Sequence, residues 1–283
     1  MRRIIEKADI LIEALPYLRA FRGKTFVIKY GGRAILSDKG RRSILQDIVF
    51  LSSVGIHPVL VHGGGPHIDA KLKALGKSIR FIDGKRVTDE RIVSVVDEAL
   101  TEVNQQLVRE IQGELQGHAK GISGKEGLFQ IKPDVRRELG YVGQIVKVRN
   151  GPIERLFKTA TIPVISPISR GRDGKLYNVN ADDAATKLAE SLKAEKLVLL
   201  TDVNGILRNQ SDSKSLIPTV RSKEVPSLVS KGIVEGGMIP KVKAACAALS
   251  KGVKKVHIIN GNLPRALLLE IFTDHGIGTQ IVR

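Results

Sequence analysis

The stretch Thr25-Phe26-Val27-Ile28-Lys29-Tyr30-Gly31-Gly32 decides the fold. Its β-favouring residues predict a short buried strand that ends on a lysine and two glycines. A buried strand delivers its last residues to a fixed place at the edge of a sheet, so Lys29 reads as a positioned charge rather than a loose surface one. The glycines let the backbone pass where a Cβ would collide with a loop or a ligand. The same pattern returns at Val59-Leu60-Val61-His62-Gly63-Gly64-Gly65. Two such strand ends side by side would line a pocket with backbone N–H groups beneath a lysine, an arrangement suited to phosphate.

Outward from this pair, the chain alternates strand and helix, the rhythm of a mostly parallel, layered sheet. Helices are expected near 43–54 and 68–75, then a hairpin at 80–88 whose Thr88 caps a helix over 90–112. Residues 121–127 read as a turn, and 128–133 and 141–148 as strands of a second, more irregular sheet. A helix over 153–159 leads to a buried strand at 162–165. Asn180, with Asp183 three residues later, is placed to cap a helix over 181–192. A buried strand at 197–200 ends in Thr201-Asp202-Val203-Asn204-Gly205. Further on, 209–215 reads as a polar loop, 225–231, 241–250 and 264–272 as helices, 255–259 as a strand and 278–282 as a final edge strand. Ahead of the first strand, Ile4, Ile5, Ala8, Leu11, Ile12, Leu15 and Leu18 have helical spacing, and Pro16 should kink or break that helix. This arm either meets another subunit or packs on its own domain. A bilobed α/β unit with a cleft between the lobes follows.

The 283 residues carry 46 Lys plus Arg against 29 Asp plus Glu, a net charge of +17. Such an excess invites a nucleic-acid partner. Against it, the basic residues are dispersed and only 4% of residues are aromatic, so no stacking platform exists. The charge reads as a basic solvated surface suited to anionic substrates. The one cysteine, Cys246, cannot form an internal disulfide, and its Ala-rich setting reads as helix packing. No run approaches roughly 18 apolar residues, so no membrane span is expected. The N-terminus lacks an apolar signal core, and the chain reads as cytoplasmic.

Several phosphate motifs are excluded. Gly23-Lys24-Thr25 and Gly76-Lys77-Ser78 have Leu18 and Lys71 where a Walker loop needs its first glycine. Ile68 stands where the last glycine of a dinucleotide fingerprint belongs. What remains is a set of ordered stretches. They are Val27-Ile28-Lys29-Tyr30-Gly31-Gly32, Val61-His62-Gly63-Gly64-Gly65-Pro66, Gly84-Lys85-Arg86-Val87-Thr88-Asp89, Tyr177-Asn178-Val179-Asn180-Ala181-Asp182, Leu199-Leu200-Thr201-Asp202-Val203 and Gly236-Gly237-Met238-Ile239-Pro240-Lys241.

Over residues 24–283 these stretches resemble the amino-acid kinase superfamily and, within it, the acetylglutamate kinases of arginine biosynthesis. The resemblance implies an α/β three-layer sandwich around a central, mostly parallel sheet, in two lobes. Residues 1–22 would form an oligomerising arm, 23–177 an N-lobe for the acyl substrate and dimerisation, and 178–283 a C-lobe for the nucleotide. It implies transfer of a phosphoryl group from ATP to the side-chain carboxylate of N-acetyl-L-glutamate, with Mg²⁺ carried on the nucleotide phosphates and no dedicated metal residue. Lys29 and Lys241 would stabilise the transferring group, and Asp182 would orient them. Gly31, Gly32, Gly64 and Gly65 would offer backbone N–H groups to phosphate and the attacking carboxylate. Arg86 would pair with the substrate's other carboxylate. Asn178 and Asn180 would serve its acetamido group, and Thr201, Asp202 and Gly205 the nucleotide. His62 reads as a structural hydrogen-bonder, because an ionised carboxylate nucleophile has no proton to remove.

Arginine-inhibited members of that family carry such an arm, which links dimers into a hexamer, and a C-terminal effector site. By that resemblance Tyr17, His257, Glu270 and Gly276 would line an L-arginine site, with Glu270 the partner for a guanidinium. Arg265 and His275 depart from the residues common there. A PII-type regulator is a further candidate partner. The rival readings are a kinase for carrier-protein-linked aminoadipate or glutamate, and a non-catalytic arginine-sensing module.

Overall fold

The computed structural model describes residues 2–273 and 276–283, with side chains from Ile12 onward except Arg33 and Ala34; Asp274 and His275 lie outside the described residues. Helix α1 (Arg2–Phe21) leads into β1 (Thr25–Tyr30), α2 (Asp38–Ser53), β2 (His57–His62) and α3 (Gly65–Ala74). A hairpin of β3 (Phe81–Ile82) and β4 (Lys85–Arg86) precedes the long α4 (Glu90–Gln112). Then come β5 (Ala119–Ser123), β6 (Phe129–Pro133), β7 (Val142–Val148), α5 (Gly151–Phe157), β8 (Ile162–Ser166), β9 (Ile168–Arg170) and β10 (Leu176–Val179). The last third holds α6 (Ala181–Ser191), β11 (Lys196–Thr201), β12 (Thr219–Arg221), α7 (Val225–Ser230), α8 (Met238–Ser250), β13 (Lys255–Asn260), α9 (Ala266–Ile271) and β14 (Thr279–Val282).

Eight strands form one sheet in the order β12-β14-β13-β11-β1-β2-β8-β5. From β13 to β5 every pair is parallel; β14 runs against β13, and β12 follows β14. The second, four-stranded sheet is β6-β7-β10-β9. Two cores cover the two faces of the large sheet. Phe26, Ile28 and Tyr30 share one with residues of α2, α4 and α9, whereas Val27 shares the other with α6 and α8. Side chains alternate along a strand, so Lys29 takes the side of Val27 and points toward α6. This parity is what brings the lysine to its partner.

Several local expectations are corrected. Helix α1 runs unbroken through Pro16, which forfeits one backbone bond while the flanking turns keep theirs. Its end is held by the body: Phe21 meets Phe26 at 5.2 Å and Tyr17 meets Phe272 at 6.5 Å between ring centroids. Ile12 and Leu15 stay exposed. Asp89, not Thr88, caps α4, accepting from the backbone N–H groups of Arg91 and Ile92; the Thr88 hydroxyl donates to Arg86 O instead. The helix expected from 43 starts at Asp38, capped by Ser37. Part of the turn expected at 121–127 is strand β5, drawn into the sheet by pairing with β8. Strand β14 is not an edge, because the three-residue β12, too short to show a period, lies outside it.

A buried charge ties α2 to α9. Asp47 is fully buried and contacts Arg265 Nη1 at 3.3 Å and the Leu267 N–H at 3.3 Å. Burial raises its carboxyl to about 6, against the pull of Arg265 and the backbone donors. A carboxyl raised in the folded state stabilises most when protonated, and the contribution is lost as pH climbs through that value. Stability should therefore fall by roughly 2–3 kcal/mol between about pH 4 and pH 8 through this group. Denaturant melts of the unmodified chain and Asp47→Asn should converge at low pH and separate at pH 8, with the variant the more stable; parallel curves would contradict this.

Candidate active site

Strand β1 delivers Lys29 so that its Nζ lies 2.9 Å from Asp182 Oδ1. From the first turns of α8, Lys241 Nζ donates to Asp182 Oδ2 at 2.5 Å. The Lys29 contact is close but poorly aligned for a hydrogen bond, so it is an ion pair by distance. Asp182 is held in place by the cap of its own helix: Asn180 Oδ1 accepts from the backbone N–H groups of Asp182 and Asp183. Burial alone would raise the Asp182 carboxyl, but the two ammonium groups outweigh it and hold it at about 2. Two cations on one carboxylate leave a net positive charge at this junction, which favours an anion there.

The junction stands between two cavities. The first, about 330 Å³, is lined by Lys29, Gly32, Gly63, Gly64, Gly65, Lys85, Arg86, Asn178 and Asn180. Its floor depends on close backbone approach. The Gly63 N–H donates to Tyr30 O at 2.7 Å, and a Cβ on Gly31 would lie 3.4 Å from Gly63 Cα and 3.1 Å from Lys29 Nζ. Gly64 is the N-cap of α3 and makes no side-chain cap, and Pro66 has no N–H, so the Gly65 N–H at the positive end of the helix dipole is the donor left beside the cavity. Beneath, His62 is buried and neutral. Its Nε2 accepts from Asn104 Nδ2 at 3.0 Å, its Nδ1–H donates to Gly63 O at 3.1 Å, and burial lowers it to about 4.

On the opposite wall, Arg86 is buried with Nη2 2.6 Å from Asp69 Oδ1 and its guanidinium 4.7 Å from the Phe81 ring centre. Its buried Nη1 has no hydrogen-bond partner among the described residues. An unsatisfied guanidinium N–H at a cleft wall is a donor awaiting an anion. Asn178 donates to Thr88 Oγ1 at 3.2 Å.

The second cavity, about 370 Å³, is lined by Thr201, Asp202, Val203, Gly205, Ile206, Ile233, Glu235, Met238 and Lys241. Apolar walls with Lys241 at one end suit a flat ring carrying an anionic tail. Gly205 has φ +122°, and a Cβ on it would lie 2.7 Å from Thr279 Oγ1.

A third cavity, about 430 Å³, is lined by Tyr17, Phe21, Lys196, Lys255, His257, Glu270 and Gly276. The residues expected at 17, 257, 270 and 276 thus come together. His257 Nε2 accepts from Lys196 Nζ at 3.1 Å and its Nδ1–H donates to Glu270 Oε1 at 2.6 Å. Burial pushes Lys196 down to about 8 and lowers His257, while Glu270, which burial would raise, is lowered by His257 and the N–H groups of Ile277 and Gly278.

Lys85 and Lys196 were not singled out from the sequence. Lys85 had only its place beside Arg86 as a signal, and Lys196 only its position at the head of a buried strand.

The chain matches the Amino acid kinase family over residues 24–260. It is 48% identical to the acetylglutamate kinase of Heliobacterium modesticaldum over 296 aligned positions, covering 100% of both chains. It is 52% identical to that of Caldanaerobacter subterraneus subsp. tengcongensis, covering 98% of this chain and 93% of the relative. Among solved structures, N-acetylglutamate synthase from Neisseria gonorrhoeae is 30% identical with TM-score 0.87 in its complex with coenzyme A and N-acetyl-glutamate. The match covers 98% of this chain but only 63% of the synthase chain, so the synthase is the longer protein. Its complex with coenzyme A and L-arginine gives TM-score 0.86 at 30% identity, covering 97% and 65%. No described helix is long and apolar enough to cross a membrane. By this match of fold, length and ordered sequence, the chain belongs to the amino acid kinase family, among its acetylglutamate kinases.

Proposed function

We propose that the two cavities hold N-acetyl-L-glutamate and ATP head to head, and that the γ-phosphoryl group crosses at the Lys29–Asp182–Lys241 junction. The observation that carries this reading is one carboxylate gripping two ammonium groups between two clefts. An attacking carboxylate and a γ-phosphate are both anions, so cations must stand on both sides of the transfer. Lys29 serves the acyl side and Lys241 the nucleotide side, while Asp182 fixes their spacing and takes no proton. Arg86 Nη1 receives the substrate's α-carboxylate. Asn178 and Asn180 meet the acetamido group. The backbone of Gly31, Gly32, Gly64 and Gly65 receives the reacting carboxylate and phosphate oxygens. Thr201, Asp202 and Gly205 border the nucleotide. Mg²⁺ would be held by the nucleotide's own phosphates, where it neutralises charge. Asp182 has both oxygens engaged by lysines.

The cavity beside α1 is the effector site. Glu270 is the partner for a guanidinium and Lys196 for a carboxylate, a pairing suited to L-arginine. It opens at Lys196, the first residue of β11, whereas Thr201 at the other end of that strand borders the nucleotide cavity. About 16 Å of strand separates the two, so inhibition acts through the sheet and not by blocking. The enzyme works in the cytoplasm as a homo-oligomer, a dimer that the arm links into a hexamer. The exposed Ile12 and Leu15 of α1 support the arm as a contact between chains. A PII-type regulator is a candidate partner of its surface.

Consumption of ATP should be fast with N-acetylglutamate and slow with N-acetylaspartate or aminoadipate, and hydroxylamine should trap the acyl phosphate. Equal rates with all three would overturn the substrate. Lys29→Met and Lys241→Met should each lower kcat by about 10²–10³, and Arg86→Met should raise KM for N-acetylglutamate on the order of 100-fold with ATP half-saturation little changed. Unaltered turnover in Lys241→Met would remove the junction from the reaction. L-Arginine should raise half-saturation for N-acetylglutamate; no effect on half-saturation or rate would eliminate the effector site.

A further inference from the structure

The β3–β4 hairpin belongs to neither of the larger sheets, and Phe81 and Ile82 belong to none of the hydrophobic clusters. Phe81 is 54% exposed. Charge and backbone bonds hold the hairpin instead. Arg136 Nη1 lies 2.8 Å from Asp83 Oδ2 at its tip, and Arg86 reaches Asp69 on α3. Lys85 makes the remaining ion pairs: its Nζ is 3.1 Å from Asp134 Oδ2 and 3.3 Å from Asp183 Oδ2. The Asp134 side chain is wholly buried. Burial would raise its carboxyl, yet Arg136, Gln144 and Lys85 outweigh that and hold it well below the usual carboxylate range. Arg136 and Gln144 also donate to Asp134, so it does not depend on Lys85 for a partner. Lys85 therefore has a second task. Asp183 follows Asp182 on the first turn of α6, so one ammonium spans from the hairpin that carries Arg86 to the helix that carries the lysine-gripping carboxylate.

We propose that Lys85 is a positioning residue whose span from Asp134 to Asp183 sets the distance between Arg86 and the Lys29–Asp182–Lys241 junction, and with it the length of dicarboxylate that fits. This rests on reading Arg86 as the ligand of the α-carboxylate. A substrate one methylene shorter or longer places its far carboxylate short of the junction or beyond it, and a slack hairpin tolerates both.

The test compares Lys85→Met, Lys85→Arg, Asp183→Asn and the double variant Lys85→Met/Asp183→Asn with the unmodified chain. Hydrogen exchange at amides 81–87, which needs no substrate, should quicken in Lys85→Met. KM for N-acetylglutamate should rise about three- to tenfold while kcat and KM for ATP stay within about twofold. The preference for N-acetylglutamate over N-acetylaspartate should shrink. Lys85→Arg should restore most of each effect, and the double variant should be no worse than Lys85→Met. Unchanged exchange would overturn the span. Faster exchange with unaltered KM and selectivity would overturn its service to the substrate. An unmodified chain that leaves N-acetylglutamate untouched would instead defeat the underlying substrate reading, and this proposal with it.

Discussion

Everything in the structure that bears on chemistry depends on keeping two like charges together. Lys29 and Lys241 are separated by 212 residues of sequence, and ammonium groups repel. Asp182 overcomes that repulsion by offering one oxygen to each. Its position is set by a local device, the Asn180 cap that starts α6, and by a global one, the parity that turns Lys29 to the α6 side of the sheet. Loss of either would leave two lysines without a common anchor. The grip also keeps the carboxylate ionised far below neutral pH.

The large sheet gives this junction its place. Ligands of parallel α/β sheets bind beyond the carboxyl ends of the strands, where the order of connection reverses. Here β1 lies between β2, which follows it in the chain, and β11, which comes much later. Glycine loops follow β1 and β2 on one side, and the Thr201–Gly205 turn follows β11 on the other. The Lys196–His257–Glu270 chain lies toward the start of β11, with its own cavity and its own buried charges. One sheet thus carries the lysine–carboxylate junction at one end and the Lys196–Glu270 cavity toward the other, joined by β11, whose interior residues Leu197, Val198, Leu199 and Leu200 are apolar and buried. Such interiors transmit a shift instead of absorbing it.

The fold was legible where burial writes a plain pattern. Strands β1, β2, β8, β11 and β13 are apolar runs ended by turn residues, and each was read within a residue or two. Strand β5 was missed because Ala119-Lys120-Gly121-Ile122-Ser123 has weak intrinsic preference and becomes a strand only by pairing with β8. Strand β12 was missed because three residues cannot show alternation. Thr88 and Asp89 both suit the cap of α4, and only the backbone geometry chooses between them. Among candidate site residues, Lys29, Asp182 and Lys241 could be singled out because each sits at the start or end of an element with a local signature. Lys85 could not, because its meaning lies in Asp134 and Asp183, which are distant in sequence and carry no motif. Tyr17, His257 and Glu270 are reachable from the sequence only through the family resemblance, because they meet only in three dimensions, and Lys196, which joins them, carries no motif at all.

The proposed chemistry requires both ammonium groups to act on one migrating phosphoryl group. The most direct measurement is a crystal structure with N-acetyl-L-glutamate, MgADP and a planar metal-fluoride mimic of that group. The mimic should lie between the two cavities, with Lys29 Nζ and Lys241 Nζ each about 3 Å from it on opposite sides. A mimic seated elsewhere, or with either lysine turned away from it, would remove the lysine pair from the transfer step.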